Sequence, residues 1–446
     1  MCGLAPYAGC DKQQTSHTMN HGIGYTYIEE FKKDHHDLRR FAAAFAARRV
    51  ALEQDDAYSY DRFIAGGSDA AGLVGSDANS ASRRYIWGTN HYLGLNRHPA
   101  VIAAAVEATI TYGTGAGTSS VSGGRCALHV ELEDFLRDFY QKPGVVLYST
   151  GYTANLGLLS TIVQKNDLVL SDQENHASII DGLRLNRCQK LTFDHNSLPS
   201  LRERLEATRG KHTNTFVVVE SVYSMSGDLA PLRELVDLKR EFGFLLYVDE
   251  AHAFGLYGAG GRGLCDEMGV LDEVDFLVST FSKSTASIGG FCVFGDGMRT
   301  FITLRSSSYL FQASFPPAAA ATILASLRLF SKDDSFASSL HEKSYYMRDR
   351  LTEAGFDLGT SQSPIIPIYV TDVSQLYNFE QELYRRGVFA VSVTYPAVKP
   401  TEGRIRLIVN DAHSYADIDA TVDVLSEIGS AYGVVRDAVG VSASQG

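Results

Sequence analysis

From Arg84 onward the chain alternates short apolar runs with stretches whose apolar residues recur every three or four positions. Runs at 145–147, 168–170, 190–193, 216–219, 244–248 and 275–278 are too short for helices and carry branched and aromatic residues, which predicts buried strands. Another strand is expected to begin at Gly289-Gly290-Phe291. Helices are expected over 101–110, opened by Pro99 at a position that tolerates a missing N–H, and over 198–208, 232–242, 299–309 and 318–329. Leu128, Leu132, Phe135, Leu136 and Phe139 share one helical face and are assigned to core. This alternation predicts an α/β fold with a mostly parallel central sheet and helices on both faces.

Both ends depart from the pattern. Residues 1–24 carry no apolar period and are expected to form a tail, 25–53 to form a helical arm or lid, and the Gly-, Ser-, Asp- and Ala-rich stretch 65–82 to be a loop. After Ser331 the pattern restarts as a smaller α+β unit, with strands at 365–370 and 405–409 and helices at 376–386 and 418–432. The expected division is 1–82, 83–330 and 331–446. A length of 446 residues agrees with more than one core.

Composition narrows the function classes. Forty basic against 52 acidic residues give −12 with no basic stripe, which argues against a nucleic-acid partner. No run approaches the roughly 18 apolar residues of a membrane helix, and residues 1–20 lack the apolar centre of a signal peptide. Six cysteines show no CxxC or paired spacing, so free thiols, no metal site and a cytoplasmic location are expected.

Candidate chemistry gathers where predicted strands end. The 244–248 run ends in Asp249-Glu250-Ala251-His252, and the 275–278 run in Ser279-Thr280-Phe281-Ser282-Lys283. Ligands of open α/β sheets sit at the carboxyl ends of strands, so Asp249, His252 and Lys283 can converge on one small molecule. A lysine amine can hold an aldehyde cofactor, and a carboxylate beside a pyridine nitrogen keeps it protonated; together they point to pyridoxal phosphate (PLP). Ser149-Thr150-Gly151-Tyr152-Thr153, between a strand and a helix, fits a phosphate cradle and an ordinary helix cap equally well. His176, after the 168–170 run, is placed to stack on a flat ring, although a lone histidine is as a rule structural. Arg404 and Arg406 lie two apart on a strand and share a face, where an arginine suits a carboxylate and where solvated edge charges are the plainer reading.

Residues 87–433 resemble the α-oxoamine synthase family of fold-type I PLP enzymes. The resemblance rests on Asn90-His91-Tyr92-Leu93-Gly94, Ser149 to Asn155, Asn175-His176-Ala177-Ser178, Tyr223-Ser224-Met225-Ser226-Gly227-Asp228, Val248 to His252, and Thr280-Phe281-Ser282-Lys283-Ser284, in family order and spacing. The Thr-Phe-Ser-Lys-Ser form is most similar to the serine palmitoyltransferase branch. The resemblance implies that Lys283 forms the Schiff base and moves the α-proton, that Asp249 pairs with the pyridine nitrogen and His252 with the phenolic oxygen, and that His176 stacks on the ring. It further implies Ser224 near the phenolic oxygen, Gly151, Tyr152, Thr280 and Ser282 on the phosphate, and Ser314 supplied by a neighbouring subunit. Arg406, with Asn90 nearby, is the implied substrate clamp. A homodimer with shared sites follows, and peripheral membrane contact is left open. The implied reaction condenses an amino acid, L-serine first, with a long-chain acyl-CoA and releases CoA and CO2.

Three departures leave the substrates open. Bacterial members of that branch usually carry an arginine where Tyr395 stands. The family's Gly-Ser-Arg segment is here Gly117-Thr118-Ser119-Ser120, and its Asn-Asp-Tyr is Asn90-His91-Tyr92. Glycine or alanine with another acyl-CoA or carrier-protein donor is the alternative. A non-catalytic partner subunit is opposed by Lys283, and an aminotransferase or lyase on the same fold is separated by its products.

Overall fold

The computed structural model describes residues 37–54, 61–77, 79–370, 372–394, 397–399 and 401–435. The tail expected over 1–24 and the first part of the 25–53 helix lie outside them; the remainder of that helix is present as Leu38–Gln54. Strands β1 (Phe63–Ala65), β2 (Ala71–Gly75) and β3 (Ser82–Ile86) pair antiparallel in sequence. The expected loop over 65–82 is therefore broken by β2, and only its flanks, 66–70 and 76–81 where described, are irregular. Small residues hide the strand period in β2, and its order comes from pairing with its two neighbours.

The central sheet holds seven strands: β4 (Gly144–Tyr148), β5 (Leu168–Asp172), β6 (Gln189–Phe193), β7 (Thr215–Glu220), β8 (Leu245–Asp249), β9 (Phe276–Thr280) and β10 (Gly290–Phe294). Their spatial order is β4-β10-β9-β8-β7-β5-β6. Strands β5 to β9 are mutually parallel, and β10 runs antiparallel to both neighbours. The sheet is mixed and mostly parallel, with helices on both faces.

Side-chain alternation divides the interior into two cores. Val145, Leu147, Leu168, Leu170, Val217, Val219, Leu246, Val248 and Leu277 face one, under helices Ala127–Tyr140, Leu198–Thr208, Leu232–Phe242 and Pro317–Phe330. Val146, Tyr148, Val169, Phe216, Val218, Tyr247 and Val278 face the other, under Gly151–Ile162 and Ala177–Arg184. Burial on both faces explains why these strands read as unbroken apolar runs. The helix expected over 299–309 is two, Arg299–Arg305 and Ser307–Leu310, because Ser306 has an extended ψ of 110°.

The C-terminal unit contains β11 (Ile365–Tyr369), β12 (Val388–Phe389), β13 (Val391–Val393) and β14 (Arg404–Ile408), with the antiparallel order β11-β14-β13. Strand β12 pairs in parallel with β3, and Ile408 N–H donates to Trp87 O at 2.9 Å. Trp87 stacks on His413 at 3.8 Å and donates to Thr421 at 3.0 Å. Residues 82–95 are thereby stitched to the C-terminal unit, which brings Asn90 beside Arg406. Among the described residues no helix is long and apolar enough to cross a membrane.

Candidate active site

Parallel strands β5, β7, β8 and β9 end in Asp172, Glu220, Asp249 and Thr280. Three of these four line a cavity of about 350 Å³, together with Gly151, Tyr152, His176, His252, Ser282 and Lys283. The carboxyl edge of the sheet is thus where the polar residues collect, as an open α/β sheet requires.

One end of the cavity is built for an anion. Helix Gly151–Ile162 starts there, with Thr150 as cap: its hydroxyl takes the Thr153 N–H at 3.0 Å, and Thr153 returns the contact to the Thr150 N–H at 3.1 Å. The first N–H groups of the helix have no partner within it. A Cβ on Gly151 would come within 2.6 Å of the Thr280 side chain, so glycine lets the helix start press against β9. The hydroxyls of Thr280 and Ser282 are 2.9 Å apart on that wall. Tyr152 is partly exposed and hydrogen-bonds Asp181 through its hydroxyl, with its ring edge-on to His176 at 6.3 Å.

On the same cavity Asp249 is buried, accepting the Ala251 N–H at 2.9 Å and an Asn155 amide N–H at 2.7 Å. His176 caps helix Ala177–Arg184; its Nδ1 accepts the Ser178 N–H at 3.2 Å, so the ring carries its proton on Nε2. Burial lowers the His176 pKa, and Lys283 and Arg406 add to this against the pull of Asp249. The His176 N–H is held by Glu220. Burial also keeps His252 neutral, reinforced by Lys283 and Arg406, and its Nδ1 lies 2.6 Å from the Tyr92 hydroxyl.

Lys283 lines the same cavity and is partly buried. Burial pulls its ammonium down to about 8; Asp249 and Glu220 oppose the shift and Arg406 adds to it. An amine so placed exchanges protons near neutrality. Arg406 donates to Asn90 Oδ1 at 3.1 Å, and its buried Nε has no hydrogen-bond partner among the described residues. Arg404 is different: it is buried against the Tyr369 ring at 4.4 Å and bonds the Glu402 carboxylate and Met225 O. The two arginines share a strand face, and Arg404 is neither solvated nor free.

The donor set fits PLP: an anion cradle, a carboxylate for a ring nitrogen, an imidazole for a ring face and a low-pKa amine converge on one cavity of suitable size. Ser224 is buried in the turn after β7 and does not line this cavity. Ser314 lies elsewhere, its hydroxyl 2.7 Å from Ser120 and its N–H donating to Thr118 O. The variant segment 117–120 therefore packs on Ser314, and Tyr395 lies outside the described residues.

Residues 85–425 match the family model described as aminotransferase class I and II. The chain is 40% identical over 349 residues to a serine palmitoyltransferase of Caulobacter vibrioides, covering 78% of this chain and 86% of that one. It is 35% identical over 341 residues to an 8-amino-7-oxononanoate synthase of Alkaliphilus metalliredigens, covering 76% and 86%. A solved serine palmitoyltransferase from S. paucimobilis with a bound PLP–myriocin aldimine superimposes with a TM-score of 0.85 at 31% identity, over 90% of this chain and 100% of that one.

The chain belongs to the α-oxoamine synthase family. This α-oxoamine synthase is a PLP-dependent acyltransferase of fold type I. Tyr92, Asn155, Ser178 and Glu220 escaped assignment from sequence, although each touches a residue that was assigned. Tyr92, Asn155 and Ser178 stand inside the stretches that carry the resemblance, and Glu220 closes a predicted strand in the manner of Asp249; those were the available signals.

Proposed function

We propose that this α-oxoamine synthase condenses L-serine with a long-chain acyl-CoA, releasing CoA and CO2 and leaving a 3-ketosphinganine-like α-amino ketone. The observation that carries the serine reading is the reach of the structural likeness. The S. paucimobilis serine palmitoyltransferase covers 90% of this chain at a TM-score of 0.85, whereas an 8-amino-7-oxononanoate synthase of Francisella tularensis covers 78% of it at 0.67 and 22% identity, a likeness of fold alone.

When bound, PLP supplies the sink for the electron pair left on the substrate α-carbon. The chain's residues do the rest. Lys283 would hold the cofactor and then move the proton at the α-carbon, a task suited to an amine whose pKa lies at about 8. Arg406, steadied by Asn90, binds the amino-acid carboxylate and so orients the bond to be broken. Asp249 would keep the ring nitrogen cationic, His252 would serve the phenolic oxygen, and His176 would cover the ring and orient the incoming acyl carbonyl. Gly151 and Tyr152 at the helix start, with Thr280 and Ser282, would take the phosphate.

The working unit we propose is a homodimer. Two features support it: Ser314 lies away from the cavity of its own chain, where a neighbour's site can use it, and Ile102, Val106, Ile110 and Phe311 are exposed. Free thiols at Cys126, Cys188, Cys265 and Cys292 support a cytoplasmic setting.

A second reading, glycine or alanine with another acyl-CoA or carrier-protein donor, is favoured by the 35% identity to the Alkaliphilus enzyme. A matrix of serine, glycine and alanine against acyl-CoAs of graded length, followed by CoA release, separates the two. Turnover restricted to serine with long chains is expected; turnover with glycine or alanine but not serine overturns the serine reading and keeps the family.

A further inference from the structure

We propose that Tyr92 is a positioning residue whose phenol fixes His252 in one tautomer, with the ring proton on Nε2, and thereby makes His252 a hydrogen-bond donor to the cavity. The inference rests on the reading that PLP presents its phenolic oxygen to His252.

Tyr92 is 1% exposed, and its hydroxyl has one hydrogen-bond partner among the described residues, His252 Nδ1 at 2.6 Å. The rings meet edge-on, centroids 6.0 Å apart. A phenol has one proton to give, and here one acceptor stands within reach. Were Nδ1 protonated, it would point its hydrogen at the phenol oxygen and leave the phenol hydrogen buried without an acceptor. The arrangement that satisfies both groups is Tyr92 O–H donating to Nδ1.

Two further conditions hold the state in place. Burial raises the Tyr92 pKa, outweighing Arg406, so the phenol keeps its proton. Burial, with Lys283, Arg406 and His176 nearby, keeps a second proton off His252. The imidazole is therefore neutral, with its one hydrogen on Nε2. His252 lines the cavity, so with Nδ1 engaged Nε2 is the nitrogen left for an occupant. Such a ring offers a donor to an oxygen; the opposite tautomer would offer a lone pair and repel it.

The backbone fixes the phenol in turn. The Asp411 N–H donates to Tyr92 O at 2.8 Å, and two residues earlier Asn90 accepts from Arg406. One short segment thus supports both the proposed carboxylate clamp and the polarity of His252.

The test is 15N NMR of holoenzyme labelled at histidine nitrogens, with the His252 signal assigned by its loss in His252→Asn. In the native protein Nδ1 is expected unprotonated and Nε2 protonated. Tyr92→Phe, which keeps the ring, is expected to spread the proton over both nitrogens and to lower kcat about tenfold, the size of one lost neutral hydrogen bond, with little change in either KM. A protonated Nδ1 in the native protein overturns the proposal, and that spectrum needs no variant to fold. So does a Tyr92→Phe protein whose tautomer is unchanged. Because the tautomer is read without turnover, failure of serine in the substrate matrix would leave this inference standing, and its own failure would leave the substrate assignment untouched.

Discussion

Asn155 donates to Asp249 Oδ2 at 2.7 Å from the second turn of the helix whose first turn faces the anion end of the cavity. The same amide nitrogen donates to Ser178 at 2.9 Å, and the amide oxygen accepts the Tyr247 hydroxyl at 2.6 Å. The carboxylate proposed for the ring nitrogen and the cradle proposed for the phosphate are thereby held in one frame. Asn155→Leu is expected to leave Asp249 and Tyr247 short of a partner in a dry site, costing about 1–3 kcal/mol of stability and weakening PLP retention. Urea denaturation and cofactor dissociation measure both; unchanged values in both would remove the role.

Glu220 closes β7 at 3% exposure and holds the His176 N–H. Burial first, and the like charge of Asp249 second, push its carboxyl well above the ordinary range, which favours the neutral acid. Glu220→Gln reproduces a neutral acceptor and is expected to keep kcat/KM within about threefold, whereas Glu220→Ala orphans the His176 N–H and loses about tenfold or more. Equal losses in the two variants would mean that the charge matters.

Arg406→Ala is expected to weaken amino-acid binding by about 2–5 kcal/mol, as when one member of a buried charge pair is removed. The effect belongs in the amino-acid KM, with the acyl-CoA KM unchanged. Steady-state kinetics with each substrate varied in turn checks this, and an unaltered amino-acid KM refutes it.

His195 sits between Asp172 at 2.9 Å and Asp228 at 2.8 Å. Burial alone would lower its pKa, but hydrogen bonds and charge from the two carboxylates push it up to about 10 from an ordinary 6.5. The folded pKa is the higher one, so the stabilisation is fully present below about 6.5 and is lost as pH rises toward about 10. Unfolding free energy should therefore fall across that window. His195→Gln should flatten the fall; an identical slope in native and variant proteins would exclude His195 as its source.

Much of the fold was legible because strands buried on both faces leave unbroken apolar runs, as at 216–219 and 275–278, and helices such as Leu232–Phe242 keep their period. The candidate site was legible to the extent that chemistry stands next to those runs: Asp249 and Lys283 announce themselves at strand ends. What stayed hidden depends on distance along the chain. Tyr92 meets His252 across 160 residues and Asn155 meets Asp249 across 94, and no local period signals such a pair. Strand β2 stayed hidden for another reason, since alanine and glycine carry no face for alternation to mark. Arg404 and Arg406 looked alike from spacing; Glu402 and the Tyr369 ring, met in the fold, separate them.

Trapping the cofactor on its lysine tests the central claim most directly. Borohydride reduction of the holoenzyme, followed by peptide mapping, is predicted to place the phosphopyridoxyl group on Lys283, and Lys283→Ala to yield a protein without that label and without turnover. A label on a different lysine, or full turnover in Lys283→Ala, would contradict the account.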